Sequence, residues 1–223
     1  MINISDWMKN YTREILDNFK ERIEFIGLQG SYARGEANEN SDIDVVVIFD
    51  KLEIDDIKKY DEIISKMSNR EKICGFLSGK EEIINWEKSD LFQFYYDTKA
   101  IYKDLNFILP FIKRENVQQA VLIGSCNIYH ICCHNMIHEK SFEILKALYK
   151  QSIFVLQAKY FFDTNHYISK KKDLLNQLSL KDKHILESYF QIKSINEMSI
   201  EEFDYYSNEL FIWASNLIKK YTI

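Results

Sequence analysis

The sequence predicts an α+β fold: a small sheet with flanking helices in the first half of the chain, then a bundle of helices. Three observations carry this. Short apolar, β-branched runs at 25–28, 43–49 and 73–77 are separated by a segment whose apolar residues recur at helical spacing. Five of the six glycines, at 27, 30, 35, 75 and 79, precede the single proline, Pro110, and one, Gly124, follows it. Beyond Pro110 turn-forming residues thin out while helix formers continue, which places a boundary there, with domains at 1–110 and 111–223.

Taken in order, Ser5 is the expected cap of a first helix with Trp7, Met8, Tyr11, Ile15, Leu16 and Phe19 on one broad face. Phe25–Leu28 reads as a strand ending at Gly30-Ser31, and Ile43–Phe49 as a second, entered through Ser41-Asp42-Ile43-Asp44. Asp55-Asp56 opens a helix carrying Ile57, Tyr60, Ile63, Ile64 and Met67, with acids at its start and Lys66 and Arg70 near its end. Ile73–Leu77 is a third strand closed by Ser78-Gly79. Glu81–Glu87 is a short helix containing Trp86, and the aromatic segments Phe92–Tyr96 and Lys99–Tyr102 read as strands around an Asp97-Thr98 turn.

In the second half, Val117–His138 and Ser141–Phe162 form two long helices. Ser179-x-x-Asp182 and Ser199-x-x-Glu202 cap two more, the last with Phe203, Tyr206, Leu210, Trp213, Leu217 and Tyr221 on one packing stripe. The expected whole is a bundle of four or five helices. Lys170-Lys171-Lys172 is a solvated helix start.

The chemistry concentrates in 25–50. Strand side chains alternate faces, so Asp42 and Asp44 point one way while Ile43 enters the core. Two adjacent carboxylates need a positive partner, and hard oxygen ligands in a small set suit Mg²⁺, which takes one or two carboxylates and completes its shell with substrate phosphates. Gly30 lets backbone approach a ligand closely, and Ser31 opens a helix whose N–H groups favour an anion. Arg34 either faces a phosphate or pins the loop by pairing with Glu36 or Asp42, and the sequence leaves both open.

Gly30-Ser31, Arg34-Gly35 and Ser41-Asp42-Ile43-Asp44 together resemble the signature of the nucleotidyltransferases of the DNA polymerase β superfamily. The sheet-plus-bundle organisation resembles the antibiotic members acting on aminoglycosides and lincosamides, and the 92–104 passage resembles the stretch ending their catalytic domain. The resemblance implies Mg²⁺-dependent transfer of a nucleoside monophosphate from a nucleoside triphosphate, ATP foremost, to a hydroxyl of a small molecule. It makes Asp42 and Asp44 the metal-holding catalytic pair, and Gly30, Ser31, Arg34 and Ser41 the nucleotide-binding set. It also implies a helical domain that binds the acceptor and contributes a general base, for which Glu139 and Glu143, one helical turn apart, are the candidates. The chain departs from the pattern on its third strand. Where an acid normally faces the Asp-x-Asp pair, Ile73, Cys74 and Gly75 stand, and Glu71, in phase with Ile73, is the substitute candidate. Such a gap also suits a regulatory or antitoxin-like module with weak or no transfer, and a protein acceptor, by adenylylation, stays open.

Composition sets the remaining bounds. The 223 residues are 46% hydrophobic and 28% charged, ordinary for a globular protein, and Lys+Arg 29 against Asp+Glu 34 gives a net charge of -5 with no basic track of the kind a long nucleic acid demands. Cys74, Cys126, Cys132 and Cys133 show no paired spacing, and the N-terminus has no secretory pattern, so a cytoplasmic protein with reduced thiols is expected. The most apolar stretch, Ala120–Cys133, is too short to span a bilayer, so no membrane is expected, and a homodimer is compatible with the chain. His130, His134 and His138 recur at helical spacing but drift around the axis, which fits residues beside a cleft better than a zinc set.

Overall fold

The structure, a computed structural model, describes residues 2–222. The chain divides into two compact units, one ending at Ile112 and the other beginning at Lys113. In the first, a four-stranded sheet has the order β3-β2-β1-β4. Its strands are β1 (Ile23–Leu28), β2 (Ile43–Phe49), β3 (Ile73–Gly79) and β4 (Lys99–Tyr102). β1 runs antiparallel to both β2 and β4, and β2 runs parallel to β3. The C-terminal end of β1 therefore meets the N-terminal ends of the other three strands along one edge of the sheet.

Alternation along β2 splits the core in two. Ile43, Val45, Val47 and Phe49 face a layer made by α1 (Ile4–Phe19) and α3 (Ile54–Ile64), where Trp7, Met8, Tyr11, Ile15, Phe19, Tyr60 and Ile64 are buried. Val46 and Ile48 face the opposite layer with Phe25 of β1, Ile83 of α4 (Lys80–Asn85), Leu91 of α5 (Lys88–Asp97), and Leu105 and Ile108. Asp44 is in phase with Val46 and Ile48, on the α4 and α5 side of the sheet.

Several local expectations need correction. The first helix is capped by Asn3, whose side chain accepts from the Asp6 N–H, and not by Ser5, which already lies inside it. Phe92–Tyr96 is helical: α5 starts from Glu87, whose carboxylate accepts from the Ser89 and Asp90 N–H groups, and it buries Leu91 and Phe92. Trp86 falls just beyond α4. Glu71 is off the third strand, exposed in a short 3-10 turn, Arg70–Lys72, that precedes β3.

The second unit is helical: α6 (Arg114–His134), α7 (Phe142–Thr164), the short α8 (Lys171–Leu175), α9 (Leu180–Ser194) and α10 (Ile200–Lys220). Ser199 and Glu202 form the expected capping box, and Tyr206, Leu210, Trp213, Leu217 and Tyr221 are buried on one stripe. α7, α9 and α10 are tied by a buried ion pair. Lys159 Nζ lies 2.8 Å from Asp182 Oδ2, Trp213 Nε1 donates to Asp182 Oδ1 at 3.0 Å, and the Ser179 hydroxyl donates to Asp182 Oδ2 at 2.8 Å. α6 passes into a π-helical turn, Asn135–Glu139, and the chain reverses at Lys140, where φ is 48°. Asn135 fastens this corner by accepting from the Ser141 N–H and donating to the Ser141 carbonyl, both at 2.9 Å. Among the described residues no helix is long and apolar enough to cross a membrane.

Candidate active site

β1 delivers the chain to the sheet edge at Gln29, whose N–H donates to the Asp44 carbonyl at 2.7 Å and so extends the β1–β2 ladder by one rung. Gly30 follows with φ +66° and starts the five-residue helix α2 (Gly30–Arg34). A Cβ at position 30 would stand 1.9 Å from Asp44 Oδ2 and 2.8 Å from Asp44 Cγ. A side chain here would have to push the Asp44 carboxylate aside, and glycine lets backbone lie directly against it. Ser31 is in the same turn, and its carbonyl accepts from the N–H groups of Gly35 and Glu36. Gly35, with φ +71°, ends α2 in the left-handed conformation.

Asp42 is exposed at the mouth of β2, Ile43 is fully buried, and Asp44 is partly buried, as the alternation requires. Two carboxylates at positions i and i+2 beside a glycine turn, one exposed and one partly buried, are hard-oxygen donors of the kind Mg²⁺ takes when phosphate oxygens complete its shell. Among the described residues no three His, Cys, Asp or Glu side chains converge as a metal cage. In the β2–β3 register Cys74 pairs with Asp44, and its thiol is exposed.

The remaining sequence candidates have other partners. Arg34 Nη1 donates to Asp97 Oδ2 at 2.7 Å and Nε to Glu36 Oε2 at 3.3 Å. Burial works against the Arg34 charge, and the Asp97 and Glu36 carboxylates outweigh it, so its pKa is raised above the ordinary arginine value. Ser41 closes the 38–41 turn: its Oγ accepts from the Asn38 N–H at 2.9 Å, and its N–H donates to the Asn38 carbonyl at 3.1 Å. Glu139 and Glu143 are separated by the reversal at Lys140 and Ser141 and do not share a helical face; Glu143 is exposed and pairs with Lys146 at 3.2 Å. His130, His134 and His138 are exposed, with the rings of the last two 4.7 Å apart.

Sequence reasoning missed the corner at Asp97 and Thr98. With α5 a helix, Asp97 is its last residue, delivered to the sheet edge where β1 presents Gly30. Gln29 Nε2 donates to Thr98 Oγ1 at 2.6 Å beside the Arg34–Asp97 pair. The signal was present in the helical spacing of Leu91, Phe94 and Tyr95 after an acidic cap, but the aromatic content favoured a strand.

The profile of the nucleotidyltransferase domain family matches residues 9–123. Two proteins of Methanocaldococcus jannaschii, both provisionally named protein adenylyltransferases, are similar in sequence. One is 33% identical over 108 residues, 47% of this chain and 94% of the relative; the other is 36% identical over 66 residues, 30% of this chain and 72% of the relative. Among solved structures, the spectinomycin adenyltransferase of Enterococcus faecialis, crystallised with ATP and spectinomycin, superposes with a TM-score of 0.53 at 17% identity, covering 92% of this chain and 98% of that one. At that identity the likeness concerns the fold. With the family profile covering half of its length, and a glycine turn seated on an Asp-x-Asp strand, the chain belongs to the nucleotidyltransferase domain family.

Proposed function

We propose that this nucleotidyltransferase is Mg²⁺-dependent and moves a nucleoside monophosphate from a nucleoside triphosphate, ATP foremost, to a hydroxyl group of a small molecule. The observation that carries the reading is the contact of the Gly30 turn with the Asp44 carboxylate, with Asp42 exposed two residues earlier, just before β2. In this reading Asp42 and Asp44 hold the metal, and the Gly30 and Ser31 backbone with the Ser31 hydroxyl grips the triphosphate. Bound Mg²⁺ would neutralise the phosphate charge and polarise the phosphorus under attack. The acceptor oxygen forms a bond to the α-phosphorus, the bond from that phosphorus to the bridging oxygen breaks, pyrophosphate leaves, and the acceptor hydroxyl gives up its proton to solvent water. Rigid placement of triphosphate against two carboxylates supplies positioning and electrostatic stabilisation, the main sources of rate in such transfers.

Residues 1–110 are the catalytic domain of this proposal and 111–223 the acceptor-binding domain. The likeness in fold to an enzyme named for spectinomycin supports an antibiotic or similar polyhydroxylated acceptor. A protein acceptor is the second reading, favoured by the sequence similarity to the archaeal proteins named for protein adenylylation. Weak transfer, as in a binding module, is favoured by Cys74 beside Asp44, since an acid is missing from that register position.

Calorimetric titration of ATP and GTP into wild type and Asp44→Asn, with and without Mg²⁺, tests the site. Mg²⁺-dependent binding lost in the variant is expected, and a wild type that binds neither nucleotide sinks the reading. Mass spectrometry for an added monophosphate, on a panel of aminoglycosides and lincosamides and on total protein, then separates the acceptor classes.

A further inference from the structure

We propose that Arg34 and Asp97 are a positioning pair, which holds the Gly30-Ser31 turn against Asp44 from the side of β4 and does not itself bind the nucleotide. The inference rests on the reading of the Gly30 to Asp44 region as the nucleotide site and assigns a role to two residues there.

The turn is held on both sides. Toward β2, the Gln29 N–H donates to the Asp44 carbonyl, and Gly30 touches the Asp44 carboxylate without room for one more carbon. Toward β4, the residues bracketing the turn are each fastened to one corner: Gln29 to Thr98 at 2.6 Å and Arg34 to Asp97 at 2.7 Å. The corner is itself fixed, because Lys99, the next residue, pairs with Leu28 at the end of the β1–β4 ladder. Residues 29 and 34 thus meet residues 98 and 97 beyond the last rung of the sheet.

Arg34 is committed to these contacts. Its side chain is 15% exposed and that of Asp97 11%, and a second carboxylate, Glu36, occupies Nε. A phosphate taking Arg34 for itself would strip a nearly buried carboxylate of this cation, a costly exchange. An α2 of five residues has too few hydrogen bonds to set its own position, so its placement comes from Tyr32, buried in the layer of α1 and α3, together with the anchors at its ends. Since Gly30 lies against the Asp44 carboxylate, a displacement of the turn at the corner is passed on to that carboxylate. Sites of this kind lose function when supporting contacts loosen.

The test titrates ATP with Mg²⁺ into wild type, Arg34→Gln, Asp97→Asn and the double variant, and follows hydrogen–deuterium exchange in all four without ligand. Exchange is expected to quicken across 29–36 in each single variant while the β2 and β3 peptides hold. ATP affinity is expected to fall about 10-fold in each, as for other partners that orient a binding group, and no further in the double. A loss in Arg34→Gln with Asp97→Asn binding like wild type, and exchange across 29–36 unmoved, overturns the proposal and makes Arg34 a phosphate ligand. Should a single variant fail to fold, Arg34→Met with Asp97→Leu replaces the pair by apolar side chains, a change that buried pairs tolerate. If that variant binds ATP like wild type, the pair is structural only and the proposal falls. A wild type that binds neither ATP nor GTP sinks the nucleotide reading, and the exchange data then decide whether the pair holds the turn.

Discussion

Gly30 answers two demands at once, a positive φ and an absent side chain, and the two can be separated by substitution. Gly30→Ala is expected to lose about 1–3 kcal/mol of stability from the left-handed backbone alone, and to push the Asp44 carboxylate aside because the new carbon would stand 1.9 Å from Oδ2. Urea unfolding reads the first effect and Mg²⁺-dependent ATP titration the second. Cys74, exposed and in register with Asp44, is a reporter of the same site. ATP with Mg²⁺ is expected to slow its alkylation, while Cys126, exposed on α6, reacts at an unchanged rate by peptide mass spectrometry. At this scale the candidates Asp42, Asp44, Gly30 and Ser31 could be picked out because they are close in sequence and their types and spacing point to the proposed chemistry. Asp97 could not, since its partner Arg34 is 63 residues away and neither residue alone signals the pair.

Among the elements, the strands and long helices followed from periodicity, and the misreadings have a common origin. Phe92, Phe94, Tyr95 and Tyr96 have side chains that favour strands, and helical packing of Leu91, Phe94 and Tyr95 against Phe25, Val46 and Ile48 overrode that preference. Glu139 and Glu143 seemed one turn apart because helical spacing was counted across the gap between His138 and Ser141, where Lys140, in a left-handed conformation, reverses the chain. The helical unit also carries a pH dependence. Burial pushes the Asp182 carboxyl upward, but the hydrogen bonds from Lys159, Trp213 and Ser179, with the Lys159 charge, outweigh it and hold the pKa below the ordinary carboxylate value. Its stabilisation is therefore complete above the unfolded carboxylate's value near 4 and disappears as pH falls through the lower folded value. Acid unfolding of α7, α9 and α10 is expected below about pH 4. Trp213 fluorescence in a Trp7→Phe, Trp86→Phe background follows it, and Asp182→Asn should flatten the dependence in that window. Lys159→Met, which leaves Asp182 buried without its main cation, is expected to cost about 3–5 kcal/mol at neutral pH by chemical denaturation.

For the molecule as a whole, the α+β class was legible because each unit has its own core and writes its own period into the sequence: two for the strands around Val46 and near 3.6 for the stripe from Tyr206 to Tyr221. The acceptor was not legible, because recognition of a small molecule depends on a few side chains from distant positions, without a spacing that marks them. The donor set makes a prediction at this scale. Removing divalent cations with EDTA is expected to abolish ATP binding by the whole protein, and Mg²⁺ to restore it, with circular dichroism unchanged, because no folding contact described above depends on a metal.

The contact between Gly30 and Asp44 also has a genetic meaning. Part of the intolerance to a side chain at position 30 comes from the Asp44 carboxylate, and the positive φ remains when that carboxylate is gone. A screen for soluble expression that starts from Gly30→Ala is therefore expected to return suppressors at Asp44, Asp44→Gly and Asp44→Ala among them. These second-site changes are expected to restore the fold while forfeiting the proposed metal ligand, so solubility and nucleotide affinity, which fail together in the first variant, part in the second.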